Sequence, residues 1–246
     1  SLYKRGIRFF HIPTTLLSQV DASVGGKLAV DLDGLKNQIG VFRNPELVLI
    51  VPKFLKTLSE RHWLSGMAEA YKHALISDID YWHFLKDFDS KEEEGIIKLL
   101  QKSISIKNNI VLEDWKEKGL RKTLNFGHTI GHAIESQALQ KGRDLLHGEA
   151  VSIGLFVESI LSKDTNGFSQ KEFNDVASVL KKTFPLSPID ENDLPDLIAW
   201  MEHDKKNQNT QINFTLLQKI GCAEYNKTCT KIEIQEAIKS YNTFLN

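Results

Sequence analysis

Along the chain the spacing of apolar residues changes character once, near residue 52. Before that point they come in short runs with no helical period. Residues 7–12 read as a strand that Pro13 ends. Residues 14–20 read as a short helical or turn segment, 28–32 as a second strand, and Asp33-Gly34 as a turn. Leu47-Val48-Leu49-Ile50-Val51 is continuous and rich in β-branched residues, the pattern of a buried strand. From Pro52 onward the period is helical. Thr57-Leu58-Ser59-Glu60 has the form of a capping box. Helices are predicted over 65–76, 81–88, 91–113, 123–140, 147–163, 170–182, 191–204 and 231–241, with one strand over 212–217. The chain therefore divides into residues 1–52, an α/β portion with too few strands for a covered sheet, and residues 53–246, an all-helical domain.

Composition narrows the function classes. The chain has 246 residues, is 41% hydrophobic and 26% charged, and carries a formal net charge of −1. A near-neutral balance argues against a general nucleic-acid or membrane-surface role, so an anionic partner has to be met by a local basic cluster. No apolar run approaches the ~18 residues of a membrane span. Cys222 and Cys229 are too few for a disulfide framework, there is no secretory signal pattern, and a cytoplasmic location is expected. The chain starts at Ser1 and enters a strand-like run at once, so part of the fold is expected upstream.

The chemistry concentrates in Leu124-Asn125-Phe126-Gly127-His128-Thr129-Ile130-Gly131-His132-Ala133-Ile134-Glu135 and His147-Gly148-Glu149-Ala150. His128 and His132 lie one helical turn apart on one face, and spacing alone makes them the natural ligand pair of a metal site. His147 is a third candidate, with Glu69, Glu135 or Glu149 to complete the set. Gly127 and Gly131 each cost roughly 1 kcal/mol in a helix interior, so something packs too close for a side chain. Glu69, Lys72 and His73 share a face of an otherwise apolar helix, where a glutamate and a lysine need partners. The basic candidates are Arg5, Lys27, Lys36, Lys107, Arg121, Lys205 and Lys206. Lys27 follows Gly25-Gly26, whose exposed amides would cradle an anion, and Arg121 precedes the N-terminus of the histidine helix.

Taken together, these runs resemble the 3-dehydroquinate synthase family. The matching stretches are Arg5-Gly6, Pro13-Thr14-Thr15-Leu16-Leu17, Asp21-Ala22-Ser23-Val24-Gly25-Gly26-Lys27, Lys36-Asn37 and Ser65-Gly66-Met67-Ala68-Glu69. Further along come Gly119-Leu120-Arg121, the run from Asn125 to Glu135, His147-Gly148-Glu149-Ala150 and Asp204-Lys205-Lys206. The resemblance implies a mainly α fold: a multi-helical metal-binding domain preceded by the tail of a Rossmann-like nucleotide domain. It implies that most of the nucleotide domain, with its glycine-rich phosphate turn, lies upstream, and that this chain alone is inactive. The metal ligands it implies are Glu69, His128 and His147, for zinc or cobalt, with His132 touching substrate rather than metal. Gly127 and Gly131 would then make room for metal and sugar.

In the same implication Lys27, Lys72, Arg121, Asn125 and His132 are catalytic. Arg5, Asp21, Asn37, Lys107 and Lys206 bind substrate, with Lys206 preferred to Lys205. Thr14, Thr15, Lys27, Lys36 and Thr57 touch NAD. The reaction implied is the phosphate-eliminating, NAD- and metal-dependent cyclisation of 3-deoxy-arabino-heptulosonate 7-phosphate to 3-dehydroquinate, a carbon–oxygen lyase step of the shikimate pathway to the aromatic amino acids. The family is commonly dimeric, so a homodimer is expected. Leu28 stands where many members have threonine. Two other readings remain: a sister sugar-phosphate cyclase making an inosose or a valiolone, and a non-catalytic helical domain.

Overall fold

The computed structural model describes residues 3, 6–32, 35–203 and 212–245, and their side chains except at 31–32, 35–38 and 203. The centre of the body is the helix α5 (His147–Thr165), whose sequence is apolar on every face. Val151, Leu155, Phe156, Val157, Ile160 and Leu161 are all buried, as a helix without a polar stripe must be. Around it pack α1 (Glu60–Ser77), α4 (His128–Gln140), α6 (Gln170–Thr183) and α8 (Lys231–Leu245). α2 (Ile79–Lys86), α3 (Glu93–Glu113) and α7 (Leu194–His203) complete the layer of helices. Asp78 caps α2 by accepting from Tyr81 N (2.8 Å), and Ser169 caps α6 by accepting from Glu172 N (3.2 Å).

Several expectations are corrected. The capping box at 57–60 does not form: α1 starts after Ser59, whose side chain makes no capping bond. The histidine helix begins at His128 rather than 123, because Gly127 takes a left-handed φ of 79° and residues 120–125 form a separate 3-10 turn. The body is not all-helical. The strand β5 (Ile212–Lys219) pairs antiparallel with β6 (Cys222–Cys229), which was missed because its polar residues carry no apolar alternation.

In the N-terminal stretch β1 (Phe10–His11) lies parallel to β4 (Leu47–Val48), and β2 (Lys27–Leu32) pairs antiparallel with β3 (Leu35–Phe42). The run 47–51 is a strand over two residues and is not buried: Leu47 is 53% and Leu49 47% exposed. The segment read as helix or turn is realised as a π-helical turn, Ser18–Ala22. Among the described residues no helix is long and apolar enough to cross a membrane.

Candidate active site

Close backbone approaches assemble the site. Gly66 of α1 faces Leu16, where an added Cβ would lie 2.6 Å from the leucine Cβ; this lays the Ser18–Ala22 turn over α1. Gly148 at the start of α5 abuts α1: its N–H donates to Ser65 Oγ (3.0 Å), and a Cβ there would overlap the Ser65 carbonyl. Between α4 and α5, a Cβ on Gly131 would come within 3.2 Å of Ala150 O, one on Gly127 within 2.7 Å of Leu155 Cδ2, and one on Gly154 would overlap Gly127 O. Gly127 and Gly131 thus make room for the neighbouring helix α5, not for metal and sugar.

The result is a convergence of Glu69, His128 and His147, whose ligand atoms all lie within 4.8 Å of one another. Glu69 Oε1 is 3.1 Å from His147 Nε2 and 3.3 Å from His128 Nε2. His128 Nδ1 faces Phe126 O (3.1 Å) and His147 Nδ1 faces the Glu135 carboxylate (3.2 Å). Both outer partners are acceptors able to take an Nδ1 proton, and each Nε2 faces Glu69. Burial alone would raise the Glu69 carboxyl, but the Lys72 ammonium paired with it, and then His128, hold it well below the usual range. Burial lowers His128 despite Glu69. At His147 burial opposes the charge, but Glu135 and Glu69 outweigh it and push the imidazole up to about 9. One carboxylate and two imidazoles, each ring held by an outer acceptor, match the donor set of a divalent metal site with open coordination positions.

His132, the other member of the spacing-based pair, is exposed. Its ring centroid lies 5.1 Å from that of His128 and 5.9 Å from that of His147, and its nearest metal-type grouping is with Glu135 and His147.

Beside the triad sits a second buried cluster, centred on Asp21. Its carboxylate accepts from Lys107 Nζ (2.6 Å) and His73 Nε2 (3.2 Å) and faces Lys72 Nζ at 3.6 Å. Lys107 also donates to Asp21 O (2.7 Å). Burial would raise Asp21, yet Lys107 and Lys72 hold it well below the carboxylate range. Burial lowers Lys107 in spite of Asp21, whereas Lys72, between Glu69 and Asp21, is raised against its burial.

Lys27 pairs with Glu117, which also accepts from Asn125 Nδ2 (3.2 Å). Arg121 is buried, its guanidinium donating to Gly25 O (2.7 Å) and Trp115 O (2.9 Å). Gly25 and Gly26 are buried beneath Arg121 and Trp115, so their amides are not the exposed cradle expected. Thr14 and Thr57 are exposed, and Thr15 Oγ1 is bonded to Ser18 Oγ (2.8 Å). Arg5, Lys205 and Lys206 lie outside the described residues, and so do the side chains of Lys36 and Asn37 on β3.

Sequence reasoning gave no role to Glu117, His73 or Glu158. A signal existed for the last: a lone carboxylate in the middle of an apolar helix.

A family model described as 3-dehydroquinate synthase N-terminal matches residues 1–65, and one described as 3-dehydroquinate synthase C-terminal matches residues 66–207. The 3-dehydroquinate synthase of Parabacteroides distasonis is 44% identical over 241 residues, which cover 97% of this chain and 68% of that protein. Among solved structures, 2-epi-5-epi-valiolone synthase from Streptomyces hygroscopicus with NAD+ and Zn2+ bound superposes with a TM-score of 0.86 at 28% identity, covering 99% of this chain and 68% of its own. 2-Deoxy-scyllo-inosose synthase complexed with carbaglucose-6-phosphate, NAD+ and Co2+ superposes with a TM-score of 0.83 at 27% identity, covering 97% of this chain and 68% of its own.

Proposed function

The chain belongs to the 3-dehydroquinate synthase family, and on that premise we propose that it serves the NAD- and metal-dependent conversion of 3-deoxy-arabino-heptulosonate 7-phosphate to 3-dehydroquinate and phosphate. The observation that carries this reading is the meeting of Glu69 Oε1 with the Nε2 atoms of His128 and His147, beside a buried lysine cluster. The NAD+ with Zn2+ or Co2+ held by the two solved relatives supports the cofactor pair. When bound, the ion acidifies a hydroxyl and polarises a ketone, and NAD takes up and returns a hydride.

The chain's own residues do the rest by binding, orientation and charge. Glu69, His128 and His147 hold the ion. Lys72 keeps Glu69 ionised and, with Lys107 and Asp21, forms a charged wall from which substrate hydroxyls are oriented. His132, exposed beside both ligand imidazoles, is placed to hold or move a proton. Lys27 and Asn125 both donate to the Glu117 carboxylate, and they can take a substrate anion only when Glu117 gives way. Arg121, Arg5, Asn37 and Lys206 are assigned to the substrate's carboxylate and phosphate. Thr14, Thr15, Lys36 and Thr57 are assigned to NAD.

The second reading is a sister cyclase acting on a neutral-sugar phosphate, favoured by the closeness of the two solved folds. Calorimetry of the zinc-loaded protein separates the two. Metal-dependent binding of the heptulosonate phosphate in preference to glucose 6-phosphate is expected. Equal or reversed preference transfers the function to the sister class, and binding of neither removes the cyclase reading. The chain alone, spanning 68% of the length of its Parabacteroides relative, is proposed to bind without turning over; phosphate release by it would refute that part.

A further inference from the structure

One buried carboxylate has no part in the site as described. Glu158 is fully buried in α5. Its Oε2 accepts the Gly127 N–H at 2.6 Å and its Oε1 the Ile130 N–H at 3.0 Å. These are donors of the first turn of α4, with Gly127 at the cap position and His128 as the first helical residue. Helix-start donors are ordinarily satisfied by a serine, threonine, aspartate or asparagine at the cap. Gly127 has no side chain to offer. No capping residue fits in its place, because φ is 79° and a Cβ would press on Leu155. The cap therefore comes from the neighbouring helix.

The geometry along α5 gives this contact a consequence. Glu158 lies about three turns after His147, and therefore on nearly the same face of α5. The same helix presents a metal-type ligand at its start and, further along, the group that fixes the start of α4. We propose that Glu158 is a positioning residue for the metal centre: by gripping the 127–130 turn from α5, it sets His128 relative to His147 so that both imidazoles meet Glu69. This rests on the metal reading of Glu69, His128 and His147.

Glu158→Gln tests it with little change of volume. One amide oxygen still accepts, but the new NH2 faces a backbone N–H that has lost its acceptor. Zinc affinity is read by competition with a chromophoric chelator, the Co2+ form by its visible absorption, and the turn by amide hydrogen exchange. The variant is expected to bind zinc ~10-fold more weakly or worse, the scale of outer-shell losses at metal sites. Its Co2+ band should change and its Gly127 and Ile130 amides exchange faster. Val176→Ala, a buried substitution in α6, controls for lost stability and should leave zinc affinity unchanged while lowering Tm. Wild-type zinc affinity in Glu158→Gln, unchanged exchange at both amides, or an equal loss in Val176→Ala each overturns the proposal. A wild type that binds no zinc removes the metal reading and this inference together; normal wild-type binding with an indifferent Glu158→Gln removes this inference alone.

Discussion

In the helical body, the apolar residues of α5 are buried almost to the last atom, and the aromatic rings of Tyr71, Trp82, Phe156, Phe173 and Tyr241 pack edge to face within the same core. In the N-terminal stretch, Phe10, Ile12, Val30, Ile39, Phe42, Leu47 and Leu49 are all 46% or more exposed, on or beside strands that, among the described residues, are joined in pairs. This stretch is tied to the body by Leu16 against Gly66, by Asp21 among Lys72, His73 and Lys107, by the Lys27–Glu117 pair and by Arg121 donating to Gly25 O. The body is held by broad burial, the N-terminal stretch by a small buried contact at Leu16 and Val20 together with the charged cluster at Asp21. The charges gathered at Asp21 also serve as its anchor.

Substitutions test that contrast. The largest effect is expected at the α4–α5 contact. Gly154→Ala drives a Cβ into the Gly127 carbonyl, and as backbone overpacking it should cost more than ~3 kcal/mol and leave little folded protein in denaturant titrations. Next comes the anchor. Asp21→Asn removes the anion shared by two buried ammonium groups, and breaking such a cluster costs about 3–5 kcal/mol by chemical denaturation. A loss under 1 kcal/mol would show that the N-terminal stretch is held elsewhere.

Within the body, Asp78→Ala removes the α2 cap and the Lys102 ion pair (2.9 Å) and should cost about 1 kcal/mol. Burial would raise Asp78, but the Lys102 pair and the Tyr81 amide lower it below 3.8. Its contribution is therefore present in full above the ordinary carboxylate value, shrinks as pH falls below it, and is gone below the lowered value, where wild type and variant should converge. The smallest effect is expected where the contrast predicts none: Leu47→Ser and Val30→Ser, on exposed positions, should stay within about 0.5 kcal/mol of wild type.

Much of this was legible in the sequence. Helical periodicity located each α-helix of the body to within five residues at either end, because each buries one face or, in α5, all of them. The donor residues were legible as residue types, but spacing favoured His128 with His132, whereas the fold sets His147 opposite His128. That pairing depends on α5 packing against both α1 and α4, a long-range fact with no local signature. The glycines were legible as a demand for close approach but not as to what approaches: Gly131 faces Ala150, and Gly148 faces Ser65. The run 47–51 misled because an apolar, β-branched run looks the same whether or not a second layer covers it. Glu117 could not be read at all, since its role comes from a left-handed turn (φ 58°) that brings its carboxylate to Lys27 and Asn125.

Metal analysis of the purified protein after zinc loading and exhaustive dialysis tests most directly whether Glu69, His128 and His147 form one metal site. One zinc per wild-type chain is expected, lost in Glu69→Ala, His128→Ala and His147→Ala alike and retained in His132→Ala. A zinc-free wild type, or triad variants that keep their zinc while His132→Ala loses it, would show that the three residues do not form that site.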